Sequence, residues 1–223
     1  MFHFGSTERQ MSDDSNLVLK ADSLQVESPP IVLASQSHAR RSLLESAGIM
    51  VSCRPAHVDE AAIKRACRDH GHDVDTTALT LARAKAAHIK AAGAIVIGAD
   101  QMLSCNGEWF DKPADIPCAR EHLMRLRGQA HVLHTAVVVL REGKELWRHV
   151  ARPRLWMRTF SEDFLDRYLR LEGDAILSCV GAYRLEGPGL HLFARIEGEH
   201  DAILGLPLLA LLEFLRGYGV IRG

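Results

Sequence analysis

The run Ile31-Val32-Leu33-Ala34-Ser35-Gln36-Ser37-His38-Ala39-Arg40-Arg41-Ser42-Leu43-Leu44 decides how this chain is read. Ile31 to Ala34 is apolar without alternation, which reads as a short buried strand. Ser35-Gln36-Ser37 breaks it. Leu43, Leu44 and Ala47 then follow helical spacing, and Gly48 ends the helix. A strand, a polar turn and a helix in that order bring backbone N–H groups and the positive end of a helix dipole to one spot, where an anion is favoured. Ser35, Ser37, Arg40 and Arg41 crowd that spot, and guanidinium groups take phosphate oxygens two at a time.

Working outward, residues 1 to 30 are rich in Ser, Asp, Gln and Glu and end on Pro29-Pro30. They read as a mobile N-terminal tail, with 31 to 223 as one folded domain. Downstream, 76 to 92 is an Ala-rich helix, and Ala94 to Ala99 is a second buried strand that stops at Asp100. Asn106-Gly107 signals a hairpin, and Ala114 to Leu126 a helix. Val132 to Leu140 and Leu146 to Trp156 are two strands joined through Glu142-Gly143-Lys144. Ser161 caps a helix to Leu171 with Glu162 and Asp163 in its first turn. A Gly-rich stretch from 187 to 205 precedes a last apolar helix after Pro207. Strands interspersed with helices predict an α/β fold.

Composition narrows the function classes. The 223 residues are 47% hydrophobic and 25% charged, as in a globular chain. Lys and Arg number 27 against 28 Asp and Glu, so no global field favours nucleic acid or an anionic membrane, and an anionic ligand must be held locally. Aromatics are 6%, too few to interleave a basic groove for single strands. No apolar run approaches the ~20 residues of a membrane span. The five cysteines (53, 67, 105, 118, 179) form no CxxC pair, and residues 1 to 30 lack a secretory pattern, which together predict free thiols and a cytoplasmic setting.

Several phosphate and nucleophile signatures are absent: no GxxxxGK[ST], no GxGxxG after a strand, no GxSxG. Cys179 and Arg184 stand one residue too close for a thiol phosphatase loop, which leaves Cys179 as a structural thiol. Asp69-His70-Gly71-His72-Asp73 reads as a solvated turn. His131 and His134, three apart in a strand, face opposite ways and make a poor metal pair.

Further polar groups follow the opening run: Val58-Asp59-Glu60, Lys85 in the Ala-rich helix, Gly98-Ala99-Asp100-Gln101, and Asp111-Lys112-Pro113. Beyond them come Gly181-Ala182-Tyr183, Glu186-Gly187, Ile196-Glu197-Gly198 and Gly205-Leu206-Pro207-Leu208. In this order, from residue 31 to about 217, the chain resembles the Maf family of nucleotide pyrophosphatases, whose opening pattern is L-A-S-x-S-x-x-R-R-x-L-L. The resemblance implies a mixed α/β fold with a long twisted sheet and flanking helices, two lobes around a cleft, and often a homodimer. It implies cleavage of nucleoside triphosphates to the monophosphate and pyrophosphate, a house-cleaning activity that uses a divalent cation, Mg2+ or Mn2+. Asp100 would accept the proton of the attacking water, with Lys112 and Glu60 completing the catalytic set. Ser35, Arg40 and Lys85 would hold the triphosphate, and Asp100 and Glu60 would be the metal carboxylates. Phosphoryl transfer asks for little more than an in-line water and neutralised phosphate oxygens.

The departures bear on the base. His38-Ala39 stands where many members have Pro and a larger side chain, and Cys179 stands where a Lys is frequent. Gln101 and Glu186 replace a Thr and a Gln. Ala39, Gln101 and Glu186 are therefore the specificity candidates, and Gln101 and Glu186, together with Cys179, resemble the branch that acts on 7-methyl-GTP rather than the one that acts on thymidine and uridine triphosphates. The other function class is a nucleotide-binding regulator of septum formation without turnover, for which a water-activating carboxylate would be superfluous.

Overall fold

The computed structural model describes residues 23 to 223. The tail reading for residues 1 to 22 lies outside the described residues. Within residues 23 to 30, given to the same tail, Gln25 is an anchor: it is buried, bridges to Ile221, and exchanges two hydrogen bonds with the backbone of Met50.

The eight strands form one mixed sheet. They are β1 (Ile31–Leu33), β2 (Ser52–Cys53), β3 (Ile95–Cys105), β4 (Glu108–Phe110), β5 (Ala130–Arg141), β6 (Lys144–Ala151), β7 (Arg154–Met157) and β8 (Phe193–Glu197). The order is β2-β1-β3-β5-β7-β8, with β4 also on β3 and β6 also on β5. β1 lies parallel to β2 and β3, and the remaining pairs are antiparallel. The helices are α1 (His38–Ser46), α2 (Glu60–Asp69), α3 (Val74–His88), α4 (Ile116–Leu126), α5 (Glu162–Glu172), α6 (His200–Ile203) and α7 (Leu208–Gly217).

The long antiparallel pair β3 and β5, in register from Ile95↔Arg141 to Ser104↔Val132, is the axis of the molecule. At one end β1 and β6 flank it, and the core fills with the α1, α3 and α7 side chains. At the other end β4 and β7 flank it, and α4 and α5 cover a second core around Leu123, Leu155 and Leu165. On the outer edge of β3, β1 leaves after Ile97 and β4 joins only at Leu103, so residues 98 to 102 have no strand beside them there. Asp100 sits in that gap.

Two expected boundaries move. The strand expected to stop at Asp100 continues to Cys105, because β5 supplies ladder partners throughout. The expected strand from 146 to 156 is divided into β6 and β7, which pair with different parts of β5 around Pro153, a residue with no N–H for the ladder. Helix α2 was not foreseen, although Ala62, Ile63, Ala66 and Cys67 follow helical spacing and Asp59 caps it through Ala62 N at 2.8 Å.

Candidate active site

Four elements bring the site together. Strand β1 ends at the Ser35-Gln36-Ser37 turn, and Ser37 caps α1 by accepting from Arg40 N. Ser35, almost buried, accepts hydrogen bonds from Ser37 N at 3.1 Å and from the Arg40 guanidinium at 3.4 Å. Arg40 Nε also donates to the Gly205 carbonyl at 2.7 Å, so the turn before α7 aims this side chain. Gly205 has φ +106°, and a Cβ there would stand 3.1 Å from Arg40 Nε. Burial lowers the Arg40 guanidinium from its ordinary value, while the charges of Asp100 and Glu60 act the other way. Only one of the two adjacent guanidiniums serves this spot, since Arg41 turns outward and pairs with Glu45 at 2.6 Å.

The second part comes from α3 lying directly on β3. A Cβ at Gly98 would fall 2.1 Å from the Ala82 carbonyl oxygen and 2.9 Å from Ala86 Cβ, so the helix can approach this closely only over a glycine. Ala82 and Ala86 of the Ala-rich helix are thus part of the contact surface. The close approach carries Lys85 onto Asp100: Nζ lies 2.5 Å from Asp100 Oδ1 and 2.8 Å from Glu60 Oε1. Asp100 and Lys85 have side chains only 7% and 12% exposed, so the pair is well withdrawn from water.

Glu60 opens α2, where a carboxylate also meets the positive helix end. Its burial would raise the carboxyl, but the Lys85 hydrogen bond and charge, with Lys112 and Lys64, outweigh this and hold it below the ordinary range. Lys64 ties α2 to Asp111 at 2.5 Å, bringing the neighbouring Lys112 towards Glu60. Lys112 itself is exposed and forms no salt bridge among the described residues.

The specificity candidates separate. Glu186 is exposed and does not cap the turn that follows it: no side chain caps the 3₁₀ turn at Pro188–Leu192. Its charge is felt at Cys179, as is that of Lys112, which sets the 179 to 186 segment on the Lys112 side of the cluster. Burial raises the Cys179 thiol, and Arg184 is bound to the buried Glu172 at 2.8 Å, so these two residues do not form a thiolate phosphate loop. Gln101 follows Asp100 in a strand and therefore points to the opposite face. There its amide donates to Thr135 Oγ1 and to the Ala202 and Ile203 carbonyls at 2.9 to 3.1 Å. Ala39 is partly exposed in the first turn of α1.

Sequence reading missed Lys64, Thr135 and the Gly205 carbonyl, each of which acts through partners 34 or more positions away. An open depression of about 540 Å³ lined by Trp147, His149, Phe214 and Tyr218 contains none of the site residues. The convergence of charge on β3, not the presence of that hollow, locates the site.

The family model described as Maf-like protein matches residues 30 to 218. The chain belongs to the Maf family. Among Maf relatives, the nucleoside triphosphate pyrophosphatase of Gluconobacter oxydans is 52% identical over 197 residues, covering 87% of this chain and 97% of the relative. The 7-methyl-GTP pyrophosphatase of Rhizobium etli is 45% identical over 197 residues, covering 87% and 99%. Among solved structures, the nucleoside-triphosphatase / dITP/XTP pyrophosphatase of Mycobacterium abscessus aligns with a TM-score of 0.43 and 15% identity over 86% of this chain and 95% of that one. No helix among the described residues is long and apolar enough to cross a membrane.

Proposed function

We propose that this Maf protein is a nucleoside triphosphate pyrophosphatase that cleaves between the α and β phosphates. The observation that carries the reading is the Lys85 ammonium held between Asp100 and Glu60, beside Arg40 and the N-terminus of α1. Its relatives' names agree with it. In this reading Ser35, Arg40 and the α1 N–H groups receive phosphate oxygens. Lys85 turns from the carboxylates to the incoming phosphate, and Asp100, freed of that bond, accepts a proton from the attacking water. Lys112 meets the charge that develops on the departing pyrophosphate.

The donor set suits a hard divalent cation. Among the described residues no group of three or more His, Cys, Asp and Glu is placed to hold a metal. Asp100 and Glu60 therefore offer two carboxylates, with water and phosphate oxygens left to complete the shell, the usual situation for Mg2+ and also open to Mn2+. When bound, such an ion would neutralise nonbridging phosphate oxygens. A chelator should then abolish turnover, and full activity in excess chelator would remove the metal from the scheme.

The base proposed is guanine. An ionised Glu186 can only accept, and guanine offers two adjacent donors, N1–H and the N2 amino group, where uracil and thymine offer one flanked by acceptors. Methylation at N7 adds positive charge that the carboxylate would also favour. Ala39 provides no aromatic stack, so discrimination for the methylated ring is expected to be weaker than in a relative with an aromatic there. A sensor without turnover is the less favoured class, because it leaves the buried Asp100 without a task.

The test is a screen of GTP, 7-methyl-GTP, UTP and TTP with phosphate and pyrophosphate detected separately. Orthophosphate without pyrophosphate would overturn the cleavage position. Glu186→Gln should shift the ranking of kcat/KM away from guanine, and an unchanged ranking would remove Glu186 from the specificity site.

A further inference from the structure

Away from the Lys85 cluster, on the face of the sheet that α3 covers, three side chains from three elements form a chain of hydrogen bonds. Asp75 lies in the first turn of α3, His134 on β5 and Ser104 on β3. His134 Nδ1 is 2.6 Å from Asp75 Oδ1, and Nε2 is 2.8 Å from Ser104 Oγ. An ionised carboxylate has no proton to give, so Nδ1 carries the proton and donates it to Asp75. In the tautomer that donates from Nδ1, the lone pair lies at Nε2, where the Ser104 hydroxyl can donate to it. Arg152 fixes the far oxygen of Asp75 through Nε at 2.7 Å and a terminal nitrogen at 2.5 Å. Nucleophile, base and orienting carboxylate thus stand in the order that nucleophilic catalysis requires.

The environment is accessible and has an apolar wall. Ser104 is partly exposed, and the His134 and Asp75 side chains are 12% and 19% exposed. Directly across the β3–β4 ladder from Ser104 is Trp109, whose ring lies 4.6 Å from the Arg68 guanidinium carbon. Ser104 is also paired to Val132 on its other side, so its backbone belongs to ladders on both edges and is poorly placed to form an oxyanion hole.

We propose that Ser104 is an activated nucleophile, separate from the pyrophosphatase centre, that takes up the acyl group of activated aryl esters and releases it slowly. Ser104 Oγ forms a bond to the ester carbonyl carbon while its proton passes to His134 Nε2. The bond from that carbon to the aryl oxygen then breaks, and the phenol leaves with the proton from Nε2. The products are O-acyl-Ser104 and the free phenol. No external oxidant or cofactor is needed. Both steps lack an oxyanion hole, but an aryl oxide leaves far more readily than the Ser104 alkoxide, so hydrolysis of the acyl group is the slow step and the adduct accumulates.

The test treats the full chain with p-nitrophenyl acetate, follows nitrophenolate release, and maps the adduct by peptide mass spectrometry. A burst approaching one equivalent is expected, with acetyl on Ser104. Ser104→Ala should remove the burst and the adduct. His134→Gln should slow acylation by about 10², the scale for losing a general base. Asp75→Asn, which keeps the shape but favours the wrong tautomer, gives a second reading should His134→Gln fail to fold. Absence of acetyl on Ser104 in the unaltered protein overturns the proposal. So does acylation at the unaltered rate in a folded His134→Gln or Asp75→Asn variant.

Discussion

Asp100 is a buried carboxylate whose companion is a lysine shared with Glu60. Removing its charge while keeping its shape isolates the proton-accepting role. Asp100→Asn is expected to keep nucleotide affinity within a few-fold and to lower kcat by about 10² or more. Near-normal turnover in the purified variant would end the assignment. Lys85→Ala tests the other half of the same contact. It leaves two carboxylates facing each other without their cation, a loss worth about 3 kcal/mol when a withdrawn pair is broken. The same vacancy takes away a competitor for a divalent ion, so Mg2+ or Mn2+ should raise the Tm of Lys85→Ala by more than that of the unaltered protein. An equal metal-induced shift in both would argue against Asp100 and Glu60 as a shared cation site.

At the scale of elements, the decisive contact is α3 on β3. Glycine within a strand is normally a weakness, yet at Gly98 it admits the backbone of a helix to within a distance no side chain would tolerate. Gly98→Ala forces α3 outward and with it Lys85, although position 98 carries no charge and touches no phosphate. We expect a loss of roughly 3 kcal/mol, as for overpacking a tight core, and a fall in turnover as the Lys85 contacts lengthen. Chemical denaturation together with steady-state kinetics would check this. A variant with unchanged stability and rate would mean that α3 can shift without disturbing the site.

Across the whole molecule, acid stability should depend on His131, which is buried in the core built around β5 and β7. Its Nε2 meets Tyr183 Oη at 2.8 Å, and its ring packs against Tyr183 and Phe193. Burial pushes it down to about 4 from an ordinary 6.5. The folded state therefore prefers the neutral ring. That preference contributes fully above pH 6.5 and is lost as the pH falls towards 4, amounting to about 3 kcal/mol at the acid end. Denaturant melts across this window should show the decline, and His131→Phe should flatten it. Equal slopes in the two proteins would contradict the assignment. Glu60 adds a loss at lower pH: its carboxyl is held below the ordinary 4.5, so its contribution is present above that value and disappears on further acidification.

The sequence by itself determined the local units and the residues with chemistry. The β1–turn–α1 unit, the capped α5 and the hairpin at Asn106-Gly107 were legible because each is specified by neighbours a few positions apart. The family pattern was legible because Asp100, Lys85, Arg40 and Lys112 stand in an ordered set of motifs. Tertiary structure alone decided what those residues do to one another. The continuation of β3 past Asp100 depends on ladder partners in β5, and the opening that exposes its edge depends on where β1 stops and β4 begins. Gln101, a specificity candidate by resemblance, has its amide held by Thr135 and by carbonyls a hundred residues along the chain. The placement of Lys85 between two carboxylates, and of Ser104 against His134 and Asp75, likewise joins separate segments. Such contacts cannot be read from local periodicity, because they are set by the packing of α3 on the sheet and by the burial that makes a single charge or hydrogen bond matter.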